Sequence, residues 1–278
     1  MNVGFLFLNL ICEEHEILAF YVAGARCVLQ AAYKLGLVLA LGLTLVYVFQ
    51  GFYPEFIGPF SNAVFPFFAG MAVFSAGFGL RRYWYRMEKF SLVWLFFTVG
   101  MFFWFLGELG WAVYTLLLNV EIPYPSIADV FWLAGYIPFL IALYLYARTF
   151  ESVLQKRTSY MVWVITVVVS VVVAVSLMFP IMMTGEDMLT LAIDLAYPFL
   201  DLALFLTALL SLIIFRAGTI GKSWIMMNAG ILANAGGDIL FSYATAQEIY
   251  YNGHPIDLLF AFAYILFTLA FYVHTKEL

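Results

Sequence analysis

Long apolar runs, each about the length of a membrane crossing and each closed by charged or turn-forming residues, fill the chain from residue 28 onward. The pattern predicts helices at about 28 to 50, 58 to 80, 91 to 119, 127 to 148, 159 to 181, 189 to 215, 223 to 247 and 256 to 274. A helix rises about 1.5 Å per residue, so roughly 20 apolar residues cross a hydrocarbon core about 30 Å thick. Eight such runs leave little chain for a soluble domain. The expected fold class is therefore all-α integral membrane, with about eight transmembrane helices.

The polar breaks between the runs sort by charge. Arg81, Arg82, Arg86 and Lys89 follow the second run, Arg148, Lys156 and Arg157 the fourth, and Arg216 and Lys222 the sixth. Arg26, Lys34 and Lys276 flank the first and last runs on the same side, which puts all 12 basic residues in the inner loops and termini. The other loops carry Glu55, Glu121, Glu186, Asp187 and Glu248 without a Lys or Arg. This is the positive-inside pattern, and it places both termini in the cytoplasm of a cell-membrane protein.

Composition agrees: 65% of the 278 residues are hydrophobic and 10% charged, against about half and a quarter in soluble domains. The basic residues form no continuous face, which excludes nucleic acid as a partner. Cys12 and Cys27, the two cysteines, fall on the cytoplasmic side, where thiols stay reduced. The apolar stretch from Asn2 to Ile11 lacks a basic flank and runs into Glu13, Glu14, His15 and Glu16, so it reads as an interfacial segment and not a signal peptide.

The chain also matches itself. GELGWAVYTLLLNVEIPYPSIADVFWLAGYIPFLIALYL, from Gly107, aligns with GDILFSYATAQEIYYNGHPIDLLFAFAYILFTLAFYV, from Gly237, once the loop shortens by two residues. Glu108 then falls on Asp238, Trp111 on Phe241, Asp129 on Asp257 and Tyr136 on Tyr264. Upstream, NAVFP from Asn62 falls on DLAYP from Asp194. After a segment 1–27, residues 28–150 and 151–278 thus read as two parallel four-helix repeats about an axis along the membrane normal, with a central cavity expected between them.

Ionisable groups at membrane depth cost roughly 2.5 to 3.5 kcal/mol each, so Glu108, Asp201 and Asp238 need an explanation. Glu108 and Asp238 lie roughly 22 to 26 Å from the inner ends of their helices and Asp201 about 18 Å from an outer end, whereas Asp129, Asp194 and Asp257 are shallower. No Lys, Arg or His is available at that depth, so these acids must be protonated, hydrogen-bonded or cation-bound. Helical spacing puts Asn234, Asp238, Ser242 and Thr245 on one stripe, Asp194, Pro198 and Asp201 on another, and Trp104, Glu108, Trp111 and Thr115 on a third. The ligand-binding candidates are Glu108, Asp129, Asp194, Asp201, Asn234, Asp238 and Asp257. The competing account is structural: neutral acids that fix helix packing, with Asp129 and Asp257 capping the starts of their helices.

Other features carry less. Ala229, Gly230, Ala233, Gly236 and Gly237 let one helix approach a neighbour closely, and the aromatic residues, 20% of the chain, suit interfacial belts. Cys12, Glu13, Glu14, His15 and Glu16 lack zinc-site spacing, so no metal site is assigned. His15, His254 and His274 lie outside the helix centres, which argues against bis-histidine haem, and no phosphate loop or catalytic triad is legible; no cofactor is named.

With PSIADVFWLAGY from Pro125, AYPFLDLALF from Ala196, and the GGD ending at Asp238 followed by GHPIDLLFAFAY, the chain resembles the membrane-embedded amino-terminal sensor regions that precede diguanylate cyclase and histidine kinase domains. The chain stops at Leu278 without such an output domain, so signalling would pass to a cytoplasmic partner. Through Gly236, Gly237 and Asp238 it also resembles the lysoplasmalogenase family, which would imply intramembrane hydrolysis of a lysolipid. Three functions follow as expectations: a membrane sensor or ligand-binding module with an outward-facing carboxylate-lined cavity and membrane lipid as a partner; a lipid hydrolase with Asp238 or Glu108 as general base; and a cation- or proton-coupled transporter.

The charge asymmetry makes a direct prediction. On a Cys12→Ser, Cys27→Ser background, Glu248→Cys will react with a membrane-impermeant maleimide in intact cells, and Thr219→Cys only after permeabilisation.

Overall fold

The computed structural model describes residues 28–83, 89–120, 122–149, 156–183, 187–215 and 221–277. The expectations for residues 1–27, including Cys12, Arg26 and Cys27, and those for Arg86, Glu121, Glu186 and Arg216 fall outside the described residues. Those described form long helices and no strand: α1 Val28–Val48, α2 Pro54–Tyr83, α3 Lys89–Ala112, α4 Ile127–Thr149, α5 Lys156–Val173, α6 Met188–Phe215, α7 Lys222–Ala246 and α8 Asp257–Glu277. Two continue through π-helical stretches, Val113–Leu118 after α3 and Ala174–Met178 after α5. α2 begins at Pro54, four residues before its expected start at 58, because proline suits a first helical position whose N–H has no partner anyway.

Seven of these helices are long and apolar enough to cross a membrane. The remaining long one, α7, is more polar, since Asn228, Asn234 and Asp238 and several glycines interrupt it. It can carry them because Trp224, Met227, Ile231 and Asn234 face into the protein. The protein is an all-α, multi-pass membrane protein.

The chain falls into two compact units, Met1–Leu39 and Ala40–Leu278. The described part of the first is the start of α1, where Leu35, Leu37 and Val38 are exposed. In the second, six helices pack in a closed ring: α2 on α3, α3 on α4, α4 on α6, α6 on α7, α7 on α8, and α8 back on α2. α5 lies outside this ring against α6. Its Val167, Val168, Val171 and Val172 are exposed, as is Val175 in the π-helical stretch that follows, as a surface facing lipid requires.

Helix starts are set by local side chains. At α4, Ser126 Oγ accepts from the Ala128 N–H at 3.2 Å, while Asp129 accepts from the Ser126 N–H at 2.7 Å, a reciprocal capping box. At α6, Asp187 accepts from Thr190 Oγ1 at 2.5 Å and from the N–H groups of Leu189 and Thr190 at 3.1 and 3.3 Å. These bonds hold the Asp187 carboxyl below the usual carboxylate range.

Glycine sets how closely neighbouring helices approach. A methyl at Gly100 of α3 would stand 2.6 Å from the Phe139 ring of α4, and one at Gly230 of α7 would stand 2.7 Å from the Phe267 ring of α8. Gly107 is likewise filled by Trp132, and Gly237 by Phe260. Further along the core, Trp94 stacks on His274 with centroids 3.7 Å apart, Trp224 stacks on Tyr146 at 3.4 Å, and the two tryptophans meet at 5.1 Å. Phe139 and Phe267 lie 6.1 Å apart in the same interior.

Gly230→Ala will therefore lower stability in detergent by about 1 to 3 kcal/mol, because its methyl meets both the Phe267 ring and the Ala263 carbonyl at 3.2 Å. Gly236→Ala, with nothing within 4 Å of the added methyl, will leave the melting temperature unchanged or raise it.

Candidate carboxyl site inside the helix ring

Lipid offers no hydrogen bonds, so a buried acid must find its donors in the protein. Tyrosine supplies most of them. Tyr136, on α4 and 2% exposed, donates to Asp201 Oδ1 of α6, and its hydroxyl also lies 3.4 Å from Asp238 Oδ2 of α7. Asn234, one turn before Asp238, donates to Asp238 Oδ2 at 2.8 Å. The carboxyls of Asp201 and Asp238 are neighbours. Asp201 is 1% exposed, and its Oδ2 has no donor among the described residues. Asp238 keeps partial exposure.

Glu108 is held separately. The Tyr264 hydroxyl of α8 donates to Glu108 Oε1 at 2.6 Å, and the Trp132 indole lies beside the carboxyl. Glu108 is within Coulombic range of Asp238, so the two sites share one interior.

Two of the shallower acids, Asp129 and Asp257, are helix-start fixtures with a second bond. Asp129 accepts from the Ser126 N–H and Oγ and, at 2.8 Å, from the Tyr197 hydroxyl of α6. Asp257 accepts from Ser61 Oγ of α2 at 2.9 Å, from the Gly253 N–H at 3.0 Å and from the Tyr250 hydroxyl at 3.0 Å. Ser61 in turn accepts from Tyr47 of α1 at 2.9 Å. Burial beside Asp257 pushes the Tyr250 hydroxyl well above its ordinary value, so it acts as a proton donor in this contact. Asp194 accepts from Tyr124.

Of the seven candidate residues, Asp201, Asn234 and Asp238 thus form one cluster and Glu108 an adjoining one. Asp129, Asp194 and Asp257 have their own donors, and Asp257 is also within Coulombic range of Glu108. Sequence reasoning missed the tyrosines, which as apolar-tolerant residues raise no alarm in a membrane helix. A signal was available, because the internal alignment sets Tyr136 on Tyr264, and these are the donors to the deep acids. No family model matches the chain, and no curated protein or solved structure matches it.

In chemical terms the arrangement can hold or pass a proton, or exchange a tyrosine donor for a polar group of a ligand. Tyr264→Phe will leave the buried Glu108 without its tyrosine donor and lower stability by about 1 to 3 kcal/mol in detergent unfolding. In a double-mutant cycle with Glu108→Met, which removes the acceptor, the coupling will be about 0.6 to 1.7 kcal/mol, the size found for hydrogen bonds between membrane helices.

Proposed function

We propose that the protein is a membrane sensor or ligand-binding module without turnover, built as two parallel four-helix halves whose relative packing reports what is bound. One observation carries this reading. Five of the six candidate acids accept a hydrogen bond from a side chain of the other half, Tyr136 for Asp201, Tyr264 for Glu108, Tyr197 for Asp129, Ser61 for Asp257 and Tyr124 for Asp194, and the Tyr136 hydroxyl also lies 3.4 Å from the sixth, Asp238. A ligand that takes one of these carboxyls must displace a bond that joins the halves, so binding and repacking are one event.

The two-copy arrangement is supported by packing as well as by alignment. Exchanging α2 with α6, α3 with α7 and α4 with α8 turns the α2–α8 contact into α6–α4 and maps the ring onto itself. Gly100 with Phe139 then falls on Gly230 with Phe267, Gly107 with Trp132 on Gly237 with Phe260, and Trp94 with His274 on Trp224 with Tyr146. Glycine for glycine and ring for ring, these contacts sit at matching positions along the chain.

In this reading the ligand is a membrane lipid or a cationic molecule that enters from the outer side. Both termini are cytoplasmic, and the change in packing passes to a cytoplasmic signalling partner. A second reading, lipid hydrolysis, is favoured by the adjacency of Asp201 and Asp238, since two neighbouring carboxyls can divide acid and base roles.

Native mass spectrometry of the detergent-purified chain with a lysolipid panel separates the two. The sensor reading expects an intact lipid whose occupancy falls at least several-fold in Asp238→Asn and Glu108→Gln. Cleaved products that disappear in either variant would replace it with the hydrolase.

A further inference from the structure

We infer that Asp201 and Asp238 hold one proton in common, which makes the α4, α6 and α7 face of the ring a proton-binding site. The inference does not rest on the sensor reading, since the pair needs its proton whatever else the protein binds.

The argument begins with a count of donors. Tyr136 has a single hydroxyl proton and gives it to Asp201 Oδ1, while its 3.4 Å approach to Asp238 is at the weak end of the range. Asn234 serves Asp238 Oδ2. Asp201 Oδ2 is buried, lacks a donor among the described residues and has the Asp238 carboxyl as its neighbour. Two carboxylates in contact inside a low-dielectric bundle repel each other and leave that oxygen unsatisfied. One proton between them removes half the charge and supplies the missing hydrogen bond.

The surrounding groups do not offer another solution. Facing the pair are Tyr136 from α4, Tyr197 from α6, Glu108 from α3 and Tyr264 from α8, all neutral or acidic. The π-helical stretch after α5 that touches α7, Ala174–Met178, contains no ionisable side chain. Among the described residues, no group of three His, Cys, Asp or Glu gathers to hold a metal ion.

The other side of the ring shows that packing does not demand the second acid. In the two-copy alignment Asn62 falls on Asp194 and Pro66 on Pro198, so Asp201 falls on Ala69. Ala69 is fully buried, and that face closes on a single carboxyl, Glu108, with its single tyrosine. The extra carboxyl on the α6 side is thus an addition to a scaffold that closes without it.

The test uses the full chain in detergent. A hydrophobic carbodiimide reacts with protonated carboxylic acids, and digestion with mass spectrometry locates the adduct. One adduct per chain is expected, on Asp201 or on Asp238 but never on both. Its yield should fall several-fold in Asp201→Asn and in Asp238→Asn and stay unchanged in Glu248→Gln. Infrared spectroscopy of the unmodified wild type at neutral pH should show the carbonyl stretch of one carboxylic acid, shifted in heavy water. Absence of the band in the wild type overturns the proposal even if a variant fails to fold, and its persistence in Glu108→Gln assigns it to the pair and not to Glu108, which is also buried. Absence of the band, or adducts on both aspartates of one chain, or on neither, would overturn the shared proton.

Discussion

A carboxyl group inside a membrane bundle takes its hydrogen bonds from protein, because the hydrocarbon around it has none to give. Most of the interior of this protein can be understood from that constraint. Glu108 and Asp201 could not be buried without Tyr264 and Tyr136 beside them, and each tyrosine must come from a different helix from the acid it serves. The acids therefore act as fixed points that decide which helices are neighbours. The same holds nearer the helix starts, where Asp129 and Asp257 join a helix cap to a hydroxyl on another helix.

For the hydroxyls to reach, the helices must be close, and glycine makes them so. Gly100, Gly107, Gly230 and Gly237 each receive an aromatic ring of the next helix. A side chain there would push apart α3 from α4, or α7 from α8, and lengthen the polar contacts further along. Small residues, rings and buried acids thus form one mechanical unit, in which the stacked Trp94, His274, Trp224 and Tyr146 occupy the rest of the interior.

The two sides of the ring differ in a way that bears on function. Where one side pairs Glu108 with Tyr264, the other adds Asp201 to Asp238 and Tyr136. On the two-copy reading, duplication accounts for the scaffold, and the departure from it marks the place where chemistry has been added. A sensor uses such a place by trading an internal bond for a bond to ligand, whereas a hydrolase must also admit water to it.

By itself the sequence determined the number and approximate bounds of the helices and their membrane setting. Twenty-residue apolar runs have no other stable form in lipid, and the largest shift of a helix start is at α2, where Pro54 opens the helix. It also determined which residues demanded explanation, since a charge type at membrane depth is visible without any structure. The alignment of the chain with itself, which sets Glu108 on Asp238, Asp129 on Asp257 and Tyr136 on Tyr264, is likewise a reading of the sequence alone. Tertiary structure alone decided the partners. That Tyr264 serves Glu108, that Asp201 and Asp238 meet, that Ser61 of α2 reaches Asp257 of α8, and that six helices close into a ring are contacts between residues 65 to 196 positions apart or elements distant in the chain. Helical periodicity specifies the face a residue occupies and carries no information about which helix that face will meet. That choice is made by the fit of rings into glycine gaps and hydroxyls onto acids, and it exists only once the bundle has packed.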